Sequence, residues 1–194
     1  MYKSIFKPLL DSFIALIAIL ILLPLWILAA IVIKADSKGP VFFIQKRLGK
    51  NQAPFKLIKF RTMSHQQRSY VGQTYRDDPS ITKVGKVLRR YKIDELPQLI
   101  NVLRGDMAIV GPRPCLRETC DRFGNHNTIH RFKVKPGLTS PAGVNGSIYL
   151  SWAEKWWYDK WYVDHVSFHI DINTILKTIL VVFLGEKRFL NKPK

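Results

Sequence analysis

Apolar residues form one long run near the start of the chain and alternate with polar residues in much of the rest. From Leu9 to Ile33 the sequence reads LLDSFIALIAILILLPLWILAAIVI, with Asp11 as its one charge. That length meets the requirement of roughly 20 apolar residues for a segment that belongs in a bilayer. A cleaved leader is the other reading of such a run, but a leader has an apolar core of about 7–15 residues, and Ala29-Ala30 makes a poor cleavage site. Pro24 lies inside the run, where its ring and missing amide donor predict a break into two helical halves. Neither half, at about 1.5 Å per residue, reaches across roughly 30 Å of hydrocarbon. Lys3 and Lys7 precede the run and Lys34, Lys38, Lys46, Arg47 and Lys50 follow it, so the bias of basic residues toward the cytoplasm applies to both flanks. Two topologies stay open on these residues: a segment that enters, bends at Pro24 and leaves on the same side, and a kinked span with an external N-terminus.

Beyond Lys34 the pattern changes. Alternation in Val41-Phe42-Phe43-Ile44 and in Phe55-Lys56-Leu57-Ile58-Lys59-Phe60 predicts two short strands joined by a turn at Gly49-Lys50-Asn51. The polar stretch from Gln66 to Ser80 reads as a loop. A basic helix is expected over Lys83 to Lys92 and an amphipathic one over about Leu96 to Leu103, with a rigid loop at Gly111-Pro112-Arg113-Pro114. Turns follow at Pro136-Gly137 and Gly143 to Gly146, and Trp152 to Leu184 reads as helical. Its last part, Ile172 to Leu184, is too short and too polar to span a membrane but suits an interfacial amphipathic helix. Trp152, Trp156, Trp157 and Trp161 crowd with Tyr149, Tyr158 and Tyr162, a pattern that fits either the headgroup level or ordinary core packing at i, i+4. The fold class expected is α+β: a small, mostly helical domain over 35–194 with short strands, anchored by a membrane segment over 1–34. There is no internal repeat.

Composition adds a strong charge. The 194 residues carry 31 Lys+Arg against 14 Asp+Glu, a formal net charge of +17. Such a balance calls for anionic partners: nucleic acid, a lipid surface or a phosphorylated substrate. Two cysteines imply no disulfide framework and favour a reducing, cytosolic setting. Zinc fits poorly, because Cys115 and Cys120 are wrongly spaced from each other and from His126 and His130. His65, His165 and His169 have no nucleophile at a recognisable spacing, and no phosphate-binding glycine loop is present.

The chemistry most worth weighing is in Asp94-Glu95, which follows Lys83, Lys86, Arg89, Arg90 and Lys92 and precedes a helix opened by Pro97. Acids at a helix N-terminus commonly do no more than stabilise its dipole, by about 0.3–1 kcal/mol. A carboxylate among cations also stays ionised, binds a hard divalent metal and can attack phosphorus. Arg113, fixed between two prolines, suits a phosphate fork, although a solvated surface arginine has the same local sequence.

Nearly the whole chain resembles the bacterial sugar transferases, the monotopic phosphoglycosyl transferases. The resemblance is carried by Gly39-Pro40-Val41-Phe42-Phe43-Ile44-Gln45, Lys59-Phe60-Arg61-Thr62-Met63, Asp94-Glu95-Leu96-Pro97-Gln98-Leu99, Asn101-Val102-Leu103-Arg104-Gly105-Asp106-Met107, Gly111-Pro112-Arg113-Pro114 and Lys135-Pro136-Gly137-Leu138-Thr139. It implies transfer of a phosphosugar from a UDP-sugar to a polyprenyl phosphate, with release of UMP, through a covalent intermediate and with Mg2+. By position, Asp94 is then the nucleophile and metal ligand and Glu95 its partner, while Arg89, Arg113 and Asp171 contact substrate. The resemblance also implies a re-entrant anchor, a bacterial inner-membrane location with the domain on the cytoplasmic face, and anionic lipids rather than nucleic acid as the partner of the basic surface. A membrane-tethered nucleic-acid or lipid-binding module would explain the charge but not Asp94-Glu95 among arginines. This chain departs from the family pattern in two places: Leu23 stands where a serine often precedes the proline, and Ser140-Pro141-Ala142-Gly143-Val144-Asn145-Gly146-Ser147 replaces a Gly-Trp-Ala-Gln-Val-Asn-Gly-Arg tract.

Overall fold

A computed structural model describes residues 1–64 and 78–193. The expected loop from Gln66 to Ser80 and His65 fall largely or wholly outside the described residues. After a π-helical turn at Tyr2–Phe6, helix α1 covers Lys7–Asp36. It is the one helix among the described residues long and apolar enough to cross a membrane. The break expected at Pro24 is not observed, because α1 continues through it. Packing explains the difference. Lys7, Asp11, Ala15, Trp26, Ala29 and Ile33 are buried, and Ala18, Ile19 and Leu22 pack against the same core, so one stripe at helical spacing docks on both sides of the proline. Pro24 itself is exposed on the opposite face, and packing offsets the roughly 3 kcal/mol that an interior proline costs.

The two expected strands pair as an antiparallel hairpin, β1 (Phe42–Leu48) with β2 (Pro54–Phe60), in the register Phe42 opposite Phe60 through Leu48 opposite Pro54. The turn is a short 3-10 segment at Lys50–Gln52. Helix α2 (Lys83–Arg90) starts at Thr82, whose hydroxyl accepts from the Gly85 amide. Gly85 has no room for a side chain, since a Cβ there would lie 2.1 Å from the Thr62 carbonyl oxygen. This close approach sets α2 directly on the exit of β2. Helix α3 (Gln98–Leu103) opens after Pro97, as expected. Its Asn101 is wholly buried and binds the edge of β2: the side-chain oxygen accepts from the Ile58 amide at 3.0 Å, and the amide nitrogen donates to the Lys56 carbonyl at 2.8 Å.

A parallel pair, β3 (Ala108–Val110) with β4 (Gly137–Thr139), was not expected from the sequence. Between them lies α4 (Arg117–Phe123), and after them come α5 (Pro141–Val144), α6 (Trp152–His165) and α7 (Phe168–Leu184). The expected single helical tract is thus two helices, with Ser167 capping the second. Trp156 is 1% exposed and stacks on Trp152, which in turn stacks on Phe123. For this pair the core reading holds. Cys115 and Cys120 form a disulfide, which corrects the expectation of no bridge. The start of α4 brings their Cα atoms to 6.8 Å, within reach of each other.

Candidate active site

Helix α2 ends at Arg90, and the chain reverses at Lys92, whose φ of 57° is left-handed. The reversal delivers a 3-10 turn, Ile93–Glu95, against β2, where Asn101 in the following helix holds it in place. Asp94 and Glu95 are each 8% exposed. Their surroundings differ sharply. Glu95 accepts from the Lys59 ammonium at 2.8 Å and from both terminal nitrogens of Arg113, one of them at 3.1 Å. Burial opposes its ionisation, but the Arg113 and Lys59 charges outweigh that and hold its carboxyl well below the usual range. Asp94 makes no hydrogen bond or ion pair among the described residues. Burial, and then the Glu95 charge, push its carboxyl up to about 6 against the pull of Lys59, Arg89 and Arg113.

Arg113 lies on a loop pinned from several directions. The Pro112 carbonyl accepts from the Gly137 amide at 2.9 Å, the Pro114 carbonyl from Arg47 at 3.3 Å, and the Arg113 carbonyl itself from Arg131. The Arg113 side chain still leaves 55% of its surface in solvent, open to an anionic group. Arg89 donates through Nε to the Thr62 hydroxyl at 2.9 Å, a contact that the tight seat of Gly85 makes possible.

Four of the expected site residues, Asp94, Glu95, Arg89 and Arg113, therefore gather in one cluster. Asp171 belongs to another. It accepts from Lys7 at 2.8 Å, from Tyr2 at 2.6 Å and from Tyr162 at 2.7 Å, beneath β3. Asp11 joins this network through Lys7 and accepts from the Ile109 amide at 3.2 Å. Lys7, counted as a basic flank in the sequence, is thus committed to holding α1 on the domain. Sequence reading gave Lys92 only a place in the basic run before Asp94 and Arg47 only a place among the basic flanks of the apolar run, and it singled out neither Lys59 nor Arg131. The Lys59-Phe60-Arg61-Thr62-Met63 motif was the available signal for Lys59, and nothing local marks Arg131.

An apolar N-terminal helix on an α+β domain, with a buried Asp-Glu pair inside a ring of lysines and arginines, fits a membrane-associated protein that handles anionic groups. The chain belongs to the bacterial sugar transferase family, whose sequence profile matches residues 2–185. It is 41% identical over 155 residues to the uncharacterized sugar transferase EpsL of Bacillus subtilis (strain 168), covering 80% of this chain and 76% of that one. It is 37% identical over 182 residues to the UDP-N-acetylgalactosamine-undecaprenyl-phosphate N-acetylgalactosaminephosphotransferase of Aeromonas hydrophila, covering 90% of this chain but 43% of the relative. With the UDP-glucose:undecaprenyl-phosphate glucose-1-phosphate transferase of Caulobacter vibrioides (strain ATCC 19089 / CIP 103742 / CB 15) the identity is 43% over 143 residues, covering 72% of this chain and 54% of the relative. The chain thus spans only about half the length of these last two proteins.

Proposed function

We propose that this chain transfers a phosphosugar from a UDP-sugar to a polyprenyl phosphate through a covalent intermediate on Asp94, as an initiating step of lipid-linked glycan synthesis. The observation that carries this is the division of labour in the pair: Glu95 is fully engaged by Lys59 and Arg113, whereas the equally buried Asp94 keeps its oxygens uncommitted. An Asp94 oxygen attacks the sugar-bearing phosphorus, and the bond from that phosphorus to the bridging oxygen breaks. UMP leaves with that oxygen. A polyprenyl phosphate oxygen then attacks the same phosphorus and expels the Asp94 carboxylate, giving the polyprenyl diphosphosugar. Arg113 and Arg89 hold phosphate oxygens. Asp171 acts at a remove, since Tyr162 lies between it and the Val110 carbonyl, on the strand that leads into Arg113.

The donor set suits Mg2+, which typically takes one or two carboxylates and completes its shell with substrate phosphates and water. Asp94 would be its protein ligand, and the ion would supply charge neutralisation at the diphosphate. The function is tested by incubating the membrane-bound protein with a panel of UDP-sugars and extracted polyprenyl phosphate. UMP release with at least one sugar, dependent on the lipid for multiple turnovers, is expected; no release with any sugar overturns the reading.

In place of the re-entrant helix-break-helix expected from the sequence, the unbroken α1 is proposed to lie in one leaflet with both ends on the cytoplasmic face. Lys7 and Asp11 near the start of α1 bind Asp171 and Ile109, while at its end Arg61 donates to the Ile33, Ser37 and Lys38 carbonyls. Thirty residues make about 45 Å of helix. A helix upright across a bilayer cannot dock both ends on one water-facing domain, so α1 lies shallowly. Its exposed Leu9, Phe13, Leu20 and Ile21 face lipid together with Leu176, Ile179 and Phe183 of α7. With the native cysteines replaced by serine, single cysteines at Ser4 and Lys38 should both resist an impermeant thiol reagent in intact cells and react after permeabilisation. Labelling at position 4 alone in intact cells would establish a span instead.

A further inference from the structure

The segment after α7 lies beyond the family match and runs back toward the candidate active site. Gly185 ends α7 at a φ of 88°, a conformation that favours glycine and turns the chain off the helix axis. A 3-10 turn, Glu186–Phe189, follows. The segment is then tethered further along: the Asn191 amide donates to the Asn145 carbonyl at 2.9 Å, Tyr158 donates to the Asn191 carbonyl at 2.7 Å, and Lys192 lies 3.6 Å from Glu154. Leu190 lies against Gly146. Between Gly185 and this tether, Glu186 pairs with Lys92 at 2.7 Å, two residues before Asp94. The Lys92 charge reaches Glu95, and the Glu186 charge reaches Arg113 and Lys155. Glu186 is therefore a third carboxylate at the edge of the dyad's cation ring.

We propose that Glu186 is a positioning residue: it occupies Lys92 while the site is empty and yields it to the diphosphate of the incoming nucleotide sugar. This rests on the transferase reading above. The geometry fits an exchangeable pair. The Lys92 side chain is 40% exposed and that of Glu186 15%, so the pair lies at the rim, where solvent reaches the lysine and a second anion can take the place of the carboxylate. A diphosphate entering beside Glu95 adds negative charge to a site that already holds two carboxylates. Withdrawal of the Glu186 side chain relieves that repulsion and frees a cation for phosphate in one step.

The test is the affinity of the full-length, detergent-solubilised protein for UDP, measured calorimetrically with Mg2+ present, alongside UMP-release kinetics. Glu186→Gln should bind UDP about three- to tenfold more tightly and lower KM for the UDP-sugar, with kcat changed less than twofold and Tm held. Glu186→Asp should return the affinity toward that of the wild type. Lys92→Ala should weaken binding, and adding Glu186→Gln to it should then change nothing, because the partner is gone. Unchanged or weaker UDP binding in Glu186→Gln, while the wild type binds UDP and releases UMP, overturns the proposal and leaves the transferase reading intact. A wild type that neither binds UDP nor releases UMP overturns both.

Discussion

Asp94→Asn is expected to lower UMP release by about four orders of magnitude or more, as for loss of a covalent nucleophile. The substitution keeps the shape of the side chain and removes the charge that attacks phosphorus. It should also leave the fold intact, because Asp94 makes no hydrogen bond or ion pair among the described residues and its buried charge is disfavoured where it stands. Tm should therefore hold or rise while activity vanishes. Glu95→Gln contrasts with this: it weakens the grip on Lys59 and Arg113, so it should cost both activity and stability. An Asp94→Asn protein that retains a tenth of the wild-type rate, assayed beside a folded control, rules Asp94 out as the nucleophile.

The candidate cluster was legible in sequence because much of it is local: Asp94-Glu95 follows Arg89 within one basic run, and Arg113 is braced by two prolines. The roles proposed for these residues come from the family resemblance, since their spacing alone fits a helix N-terminus and a surface loop equally well. Lys59 and Glu186 were less legible because they reach the pair from β2 and from beyond α7, across 36 positions from Glu95 in the first case and 94 from Lys92 in the second. Asp171 shows the converse. Its position matched a substrate-contact expectation, yet the fold gives it Lys7, Tyr2 and Tyr162 as partners and makes it the point where the anchor is fixed to the domain. Pro24 was read by its intrinsic preference, whereas packing of Leu22 and Trp26 on either side decides the backbone. Strands β3 and β4, at three residues each, are too short to show alternation.

Chelation of divalent metal is expected to abolish turnover, with a loss of at least about a thousandfold, and Mg2+ should restore it. The argument is one of charge. In the proposed reaction the UDP-sugar places its diphosphate against Asp94, and the nearby cations meet it already partnered: Lys59 and Arg113 with Glu95, Lys92 with Glu186 and Arg89 with Thr62, so each brings less than a free charge to the phosphates. Even if Lys92 is released, the carboxylate and the diphosphate oxygens repel each other along the line of attack. A hard dication held by Asp94 and the phosphates would remove that repulsion, and because only one carboxylate of the pair is uncommitted, such a metal should bind well only with substrate present. UDP affinity measured in excess chelator should therefore fall, and return on titration with Mg2+. Mn2+, which also prefers oxygen ligands, should substitute in part. Full UMP release in excess chelator, or rescue by Zn2+ but not Mg2+, would show that the basic ring alone neutralises the diphosphate and that Asp94 serves as a nucleophile without being a metal ligand.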